Sequence, residues 1–220
     1  MGKLMMGILG GFSGKVGTVV GSTTRKGDDL IRARTKRTRT SNTDGQLKQR
    51  TKFSLVMQFF MTLNILLKIG FKGVAGFNMS PYNYACKKAL TEAIISVGPD
   101  FELDYGKVLI SQGLLSRETI SDAVLMDGNV TFHWENNTGS GNCATTDKAV
   151  LLVYNVDKNE LSYSIGTVTR GLKTGVLPLP YSEIGDKMVF YMFFQSESDP
   201  TLVSTSQFLG SVEVTELLQP

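Results

Sequence analysis

The chain has 220 residues, of which 41% are hydrophobic and 20% charged, as expected of a globular protein with a core. Its single histidine, His133, excludes histidine-rich zinc sites, and Cys86 and Cys143 lack metal-site spacing. The net charge is +3, but the charges are unevenly distributed along the chain. Residues 1–88 carry 16 Lys/Arg and 3 Asp/Glu, whereas residues 89–220 carry 7 Lys/Arg and 17 Asp/Glu. This asymmetry indicates a polyanionic partner or head-to-tail pairing of copies.

The first residues contain a short apolar run, "LMMGILGGF", at positions 4–12. Glycines interrupt this run and no Ala-x-Ala cleavage pattern follows it, so we expect no signal peptide and a cytoplasmic or virion location. The following "GKVG" at 14–17 is not a phosphate-binding loop. That motif needs glycine where Leu9 stands and a hydroxyl where Val16 stands.

Residues 1–42 are predicted to form a glycine-rich basic β-hairpin arm that turns at Gly27. The returning segment alternates, so that Arg32, Arg34 and Lys36 share one face of the strand. A row of cations protects an edge strand or binds an anion. The candidate inter-subunit or anion-binding residues of the arm are Lys15, Arg25, Lys26, Arg32, Arg34, Lys36, Arg37 and Arg39.

Residues 43–98 are predicted to be helical, with helices at about 43–69 and 81–97. Thr43 and Gln46 have the spacing of a capping box, and Ser80-Pro81 is a typical helix start. The block at 53–69 is short and contains polar residues, so a membrane span is not expected. Its second half is apolar nearly all round, which predicts an interface helix. The candidate interface residues are Phe59, Phe60, Leu63, Leu66 and Leu67.

Residues 99–220 contain short β-rich runs separated by turns, beginning with "KVLIS" at 107–111. Seven or eight such strands predict an antiparallel β-sandwich of immunoglobulin or fibronectin-III type, which makes the whole chain α+β. Val130, Phe132 and Trp134 are expected to point into the sandwich core, with His133 facing solvent.

The N-terminal pattern resembles that of the domain-of-unknown-function family 6266, found mainly in Bacteroidota. The matching segments are "GGFSGKVGTVVG" at 10–21, Lys26-Gly27, and the spaced residues Thr43, Gln46, Arg50 and Phe53. Later segments such as "KAVLLVYN" and "FLGSVEV" are also similar to the family. Two features depart from it, because Thr40-Ser41 replaces the usual Asn-Pro and no Trp precedes the Lys-Gly turn. The resemblance implies no established activity, although the arm is weakly similar to phage-encoded structural proteins.

We therefore predict a non-enzymatic, self-assembling structural protein, such as a subunit of a phage virion, tail or filament. We expect homo-oligomers, contacts with other virion proteins, and no cofactor, metal or catalytic residue. The alternative is a nucleic-acid-binding protein whose basic arm neutralises phosphates. A hydrolase or lectin built on the sandwich is the third class, and no nucleophile–base pair in the sequence supports it.

Overall fold

A computed structural model of the chain describes residues 2–4, 12–24, 26–35, 43–76, 79–118, 121–139 and 141–215. The chain divides into two compact units. The N-terminal unit comprises Met1–Asp44 and the C-terminal unit comprises Gly45–Pro220. Together they form an α+β protein with three helices and several antiparallel sheets among the described residues.

The N-terminal unit is a four-stranded antiparallel sheet with the strand order β1-β4-β3-β2. Its strands are β1 (Gly2–Leu4), β2 (Gly14–Val16), β3 (Val19–Thr23) and β4 (Asp29–Ala33). The predicted turn is confirmed, because Gly27 lies between β3 and β4 with φ of 83°, a value that favours glycine. Strand β4 ends at Ala33, so Arg34 lies just beyond it.

The first helical segment is two helices rather than the single helix predicted to Ile69. Helix α1 (Asp44–Thr62) and α2 (Asn64–Gly70) meet at Leu63 with a bend of 88°. The Thr62 hydroxyl donates to the Phe59 carbonyl beside the bend. Among the residues that the structure describes, no single helix has the length and apolar composition to cross a bilayer. Only α1 and α2 taken as a bent pair meet both criteria.

Helix α3 (Pro81–Glu92) begins as the sequence predicts, since the Ser80 hydroxyl accepts the Asn83 N–H at 3.2 Å. It ends five residues earlier than expected. The β-branched residues that follow form strand β5 (Ile94–Val97), which pairs with β6 (Asp100–Leu103). The β-propensity of this segment competes with continuation of the helix, and Gly98 adopts a φ of 62° in the turn that joins β5 to β6.

Two further antiparallel sheets contain the strands after β6. The sheet orders are β10-β9-β12-β13 and β11-β8-β7. The strands are β7 (Ser121–Met126), β8 (Asn129–Trp134), β9 (Lys148–Asn155), β10 (Glu160–Thr169), β11 (Thr174–Pro178), β12 (Lys187–Gln195) and β13 (Gln207–Glu213). Val130, Phe132 and Trp134 are buried and His133 is exposed, which confirms the predicted alternation in β8.

The sheet β10-β9-β12-β13, which we call the central sheet, is buried on both faces along its middle strands β9 and β12. Leu152, Tyr154 and Tyr191 belong to a hydrophobic core shared with the helices, whereas Leu151 and Phe190 belong to a second core shared with the three-stranded sheet. The C-terminal unit therefore stacks helices, a central sheet and a smaller sheet. This arrangement explains why β9 and β12 are continuous apolar runs instead of alternating sequences.

The predicted strand at "KVLIS" is not a strand in the structure. Val108 and Ile110 are buried in the core shared with the helices. The backbone N–H of Ile110 donates to the Ser206 hydroxyl at 2.9 Å, and the Ser111 hydroxyl donates to the Ser204 carbonyl at 2.7 Å. Side-chain hydrogen bonds and isolated main-chain bonds, such as that from the Ser206 N–H to the Ser111 carbonyl, therefore replace the strand pairing that was expected.

A buried ion pair holds the loops at one end of the two sheets. Arg170 is fully buried, and its Nε donates to Asp147 Oδ2 at 3.2 Å. Its two terminal nitrogens donate to Asn137 Oδ1 at 2.7 Å and to the Ser116 carbonyl at 2.8 Å. The guanidinium also lies 3.8 Å from the ring centre of Phe194. The Arg170 side chain thus links its own loop, the loop that contains Asn137 and Asp147, and the segment that contains Ser116.

Candidate functional site

Three of the predicted cations come together on the N-terminal sheet. Lys15 on β2 and Arg32 on β4 both pair with Val20 on the strand between them. Directly paired residues point to the same face of a sheet. Arg34 lies two residues beyond Arg32, where its N–H donates to the Thr18 carbonyl at 2.8 Å. We call Lys15, Arg32 and Arg34 the basic face.

The basic face lines a concave surface of about 1040 Å³ together with Val20 and neighbouring backbone. All three side chains are exposed. Within the described parts of the chain, none of the three forms an ion pair. The cations are therefore held side by side without a described carboxylate to neutralise them, which favours an anionic partner.

The opposite face of this sheet has a different chemistry. A Cβ atom added to Gly21 would lie 2.2 Å from the Phe12 carbonyl oxygen and 2.7 Å from the Phe12 ring. Gly21 alternates with Val20 along β3, so the ring lies over the face that Lys15 and Arg32 do not occupy. The aromatic ring and the basic face are on opposite sides of the sheet.

The remaining arm residues are not part of the basic face as described. Lys26 lies in the turn between β3 and β4, beside the Thr24–Asp28 hydrogen bond. That turn begins four residues from Val20, a separation of about 13 Å along a strand. Arg25, Lys36, Arg37 and Arg39 lie outside the described residues.

The five predicted interface residues lie inside the C-terminal unit. Phe59, Phe60, Leu63, Leu66 and Leu67 are each at most 2% exposed and belong to the core shared with the central sheet. Phe59 packs edge-to-face on Tyr154 with ring centres 4.8 Å apart. The structure therefore corrects the predicted location of these side chains, because the central sheet of the same chain covers the apolar helix.

Exposed apolar side chains occur elsewhere on the C-terminal unit. On the outer face of the three-stranded sheet, Val124, Met126 and Val176 are 43%, 65% and 57% exposed. Val124 pairs with Thr131, which pairs with Val176, so these side chains form one row across three strands. The exposed acidic residues Asp122 and Asp127 lie at the two ends of β7. We call this surface the outer sheet face.

The outer sheet face was missed by sequence reasoning, although the alternation in β7 was a usable signal. Glu135 is also exposed at the end of β8. In the described part of the chain, Asp122, Asp127 and Glu135 form no ion pair. The surface therefore combines apolar side chains with unneutralised negative charge.

One buried carboxylate is unusual. Glu118 is 2% exposed, and neither of its carboxylate oxygens has a hydrogen-bond partner among the described residues. Burial raises the pKa of this carboxyl, while the positive charges of the nearby Arg170 and Arg117 partly oppose the rise. Among the described residues, no group of three His, Cys, Asp or Glu side chains could hold a metal ion.

The sequence profile of the Family of unknown function (DUF6266) matches residues 11–210. The chain belongs to this family. No curated protein matches it. The assignment covers the N-terminal sheet from Phe12, all three helices and the sheets through most of β13.

The spaced residues Gln46, Arg50 and Phe53 lie on the exposed first half of α1. Gln46, Arg50 and Phe53 line a shallow groove of about 670 Å³ with Met57. These positions are three or four residues apart, so they share one side of the helix. Phe53 is 48% exposed. The motif therefore presents polar and aromatic groups at a surface.

Proposed function

We propose that this protein is a non-enzymatic assembly protein whose N-terminal unit binds an acidic surface on another copy. The observation that carries this proposal is the convergence of Lys15, Arg32 and Arg34 without a described counter-ion. Lys15 and Arg32 lie on strands two steps apart, a separation of about 9.6 Å, so they suit a partner with several carboxylates. That the protein is not an enzyme stays a prediction.

The outer sheet face has the chemistry required of the partner surface. It carries Asp122, Asp127 and Glu135 around exposed Val124, Met126 and Val176. Opposite charges accelerate encounter, and burial of the apolar centre lengthens the lifetime of a complex. A contact between two different faces is head-to-tail, and its repetition produces rings or filaments.

That the assembly is a phage virion, tail or filament stays a prediction. The apolar contact of such an assembly is proposed to lie on the outer sheet face, because Phe59, Phe60, Leu63, Leu66 and Leu67 are buried within the chain. The C-terminal unit suits a rigid body, because its central sheet is buried on both faces. Rigid elements position an interface better than mobile ones.

We also propose that the sandwich is of the immunoglobulin or fibronectin-III type. The strand order supports this proposal. Counting β7 to β13 as seven strands, the first, second and fifth form one sheet and the others form the second. Splitting of an antiparallel sandwich in this manner is typical of that architecture.

Nucleic-acid binding is the second candidate function, because unpaired cations in a concave surface also suit phosphates. The position of Phe12 is an argument against base stacking, since its ring lies on the other side of the sheet. Any binding through the basic face is therefore expected to be independent of sequence.

Charge reversal tests the two candidates. We expect Arg32→Glu with Arg34→Glu to lower self-association at least tenfold at low salt, measured by light scattering across a concentration series. Lys26→Glu with Lys87→Glu makes the same charge change at two exposed residues that do not belong to the basic face and is the control. The difference between the two double variants should shrink as salt is added.

A charge swap identifies the partner surface. Asp122→Lys with Asp127→Lys should also reduce self-association, and mixing this variant with Arg32→Glu/Arg34→Glu should restore hetero-assembly. A wild-type protein that stays monomeric at high concentration while binding generic DNA in a salt-dependent manner would refute assembly and support the second candidate. If each variant loses self-association but the mixture does not assemble, the partner surface is not the outer sheet face.

A further inference from the structure

The C-terminal unit contains a half-open pocket between α1, the β5–β6 hairpin and the central sheet. Its volume is about 350 Å³, which lies within the range of small-molecule sites. The inner wall is aromatic, formed by Phe59, Phe101, Tyr105 and Tyr154. This pocket is separate from the basic face and from the outer sheet face, since it shares no residue with either.

The aromatic wall is rigid. Phe59 is 2% exposed and Tyr154 is 1% exposed. Phe59 packs edge-to-face on Tyr105 at 5.5 Å and on Tyr154 at 4.8 Å between ring centres. The Tyr154 hydroxyl donates to Asn159 Oδ1 at 2.8 Å. A further ring entering the pocket would extend this edge-to-face network without reordering the wall.

The pocket also offers hydrogen-bond donors. The Tyr105 hydroxyl forms no hydrogen bond with any described residue, although the Tyr105 carbonyl accepts the Tyr191 hydroxyl at 2.7 Å. Burial, assisted by Asp157, raises the pKa of Tyr105 to about 12, so this phenol keeps its proton at neutral pH. The Asn159 amide nitrogen has no described acceptor either, because the Tyr154 contact uses its oxygen.

The charged side chains around the mouth of the pocket include both cations and carboxylates. Lys187 and Glu102 both line the pocket and are exposed. The Lys52 ammonium lies 4.4 Å from the Phe101 ring centre, so a cation of the chain already covers that ring. The carboxylate of Asp157 accepts the Lys187 backbone N–H at 2.7 Å. A neutral ligand is therefore favoured over a charged one.

We infer that this pocket binds a small, neutral, planar aromatic molecule that carries a hydrogen-bond acceptor. The ring lies against the half-buried Phe101 and Tyr105, in front of the buried Phe59, and the acceptor receives hydrogen bonds from the Tyr105 hydroxyl and the Asn159 amide. This site adds a ligand-binding activity to the assembly role and does not depend on it.

Benzamide is a suitable probe, because it is neutral and planar and has a carbonyl acceptor. Cyclohexanecarboxamide has the same acceptor on a ring that is not aromatic, so it is the matched control ligand. We expect benzamide to bind with a Kd on the order of 1 mM, as expected for a ligand of this size. Ligand-observed NMR titration with the full chain measures both compounds, and cyclohexanecarboxamide should bind at least tenfold more weakly.

Two variants locate the binding. Gln58 is exposed at the pocket mouth, so Gln58→Trp should block the pocket and abolish benzamide binding. Lys48→Trp places the same side chain on the exposed part of α1 outside the pocket and should leave binding unchanged. Tyr105→Phe should weaken binding about 3- to 10-fold, since one hydrogen bond is lost. Thermal unfolding checks that each variant is folded.

Several results would overturn the inference. Absence of benzamide binding at concentrations of about 10 mM would show that the pocket holds only water. Equal binding of the two carboxamides would remove the aromatic selectivity. Binding that survives Gln58→Trp in a folded protein would place the ligand at another surface.

Discussion

The two units of the chain stabilise their sheets in different ways. In the C-terminal unit, the central strands are buried on both faces, and Val153, Phe190 and Met192 have no exposed surface. Among the residues of the N-terminal unit whose burial the structure describes, Gly21 is the only buried one. Hydrophobic burial therefore stabilises the sheets of the C-terminal unit, whereas the described strands of the N-terminal sheet are joined by main-chain pairing, with the Phe12 ring beside Gly21.

We therefore assign stability mainly to the C-terminal unit and interaction with a partner to the N-terminal unit. A sheet with little buried apolar surface gains little from burial, and its cations repel one another in the absence of an anion. We therefore expect the N-terminal unit to gain much of its order from a partner. Variants can test this comparison by disturbing one unit at a time.

The largest effect is expected at the buried ion pair of the C-terminal unit. Arg170→Met would leave the Asp147 carboxylate, which is 1% exposed, without its cation. We expect a loss of about 3–5 kcal/mol in the free energy of unfolding, the usual scale for breaking a buried pair. Urea denaturation measures this loss.

The matched control removes both charges. Arg170→Met with Asp147→Asn should lose less than Arg170→Met alone, because no buried charge is then left unpaired. A loss below about 1 kcal/mol for the single variant would contradict the view that this pair holds the loops to the core.

A smaller, pH-dependent effect is expected at Glu118. Burial raises the pKa of its carboxyl in the folded state. The folded protein then binds this proton more tightly than the unfolded chain, so the stabilisation is complete below the unfolded pKa of about 4.5 and is lost as the pH rises through the folded pKa. Glu118→Gln should therefore gain stability relative to the wild type as the pH increases.

Thermal unfolding of both proteins from pH 4 to pH 8 checks this expectation. Glu135→Gln is the control, since it makes the same substitution at an exposed side chain. A constant difference between Glu118→Gln and the wild type across the range would show that Glu118 is not desolvated.

The smallest effect on global stability is expected in the N-terminal unit. Gly21→Ala would place a Cβ atom 2.2 Å from the Phe12 carbonyl oxygen, so the local pairing of β3 must shift. We expect faster hydrogen exchange at the Arg34 amide, which donates to Thr18. Unfolding of the C-terminal unit should change by less than about 0.5 kcal/mol.

Gly45→Ala is the control for this substitution, because a Cβ atom there meets nothing within 4 Å. It should leave exchange in the N-terminal sheet unchanged. If Gly21→Ala instead lowered the stability of the C-terminal unit by 2 kcal/mol or more, the two units would not be independent.

Much of the local structure follows from neighbouring residues. The alternation Val130, Phe132, Trp134 predicts the buried side of β8 because a strand repeats every two residues. Gly27 and the Ser80-Pro81 pair predict a turn and a helix start for equally local reasons. The three cations of the basic face were also in the predicted set, since a strand places alternate residues on one side.

The tertiary structure decided what covers each apolar surface. Phe59 and Leu63 have the sequence pattern of an interface, and the pattern is the same whether the covering surface is another copy or the chain's own central sheet. By itself, the sequence determined the turn at Gly27, the start of α3 and the buried side of β8, because these depend on neighbours in the chain. Only the fold decided that Tyr105 and Phe59 line one pocket and that Lys15 and Arg32 share one face, because residues distant in sequence meet there.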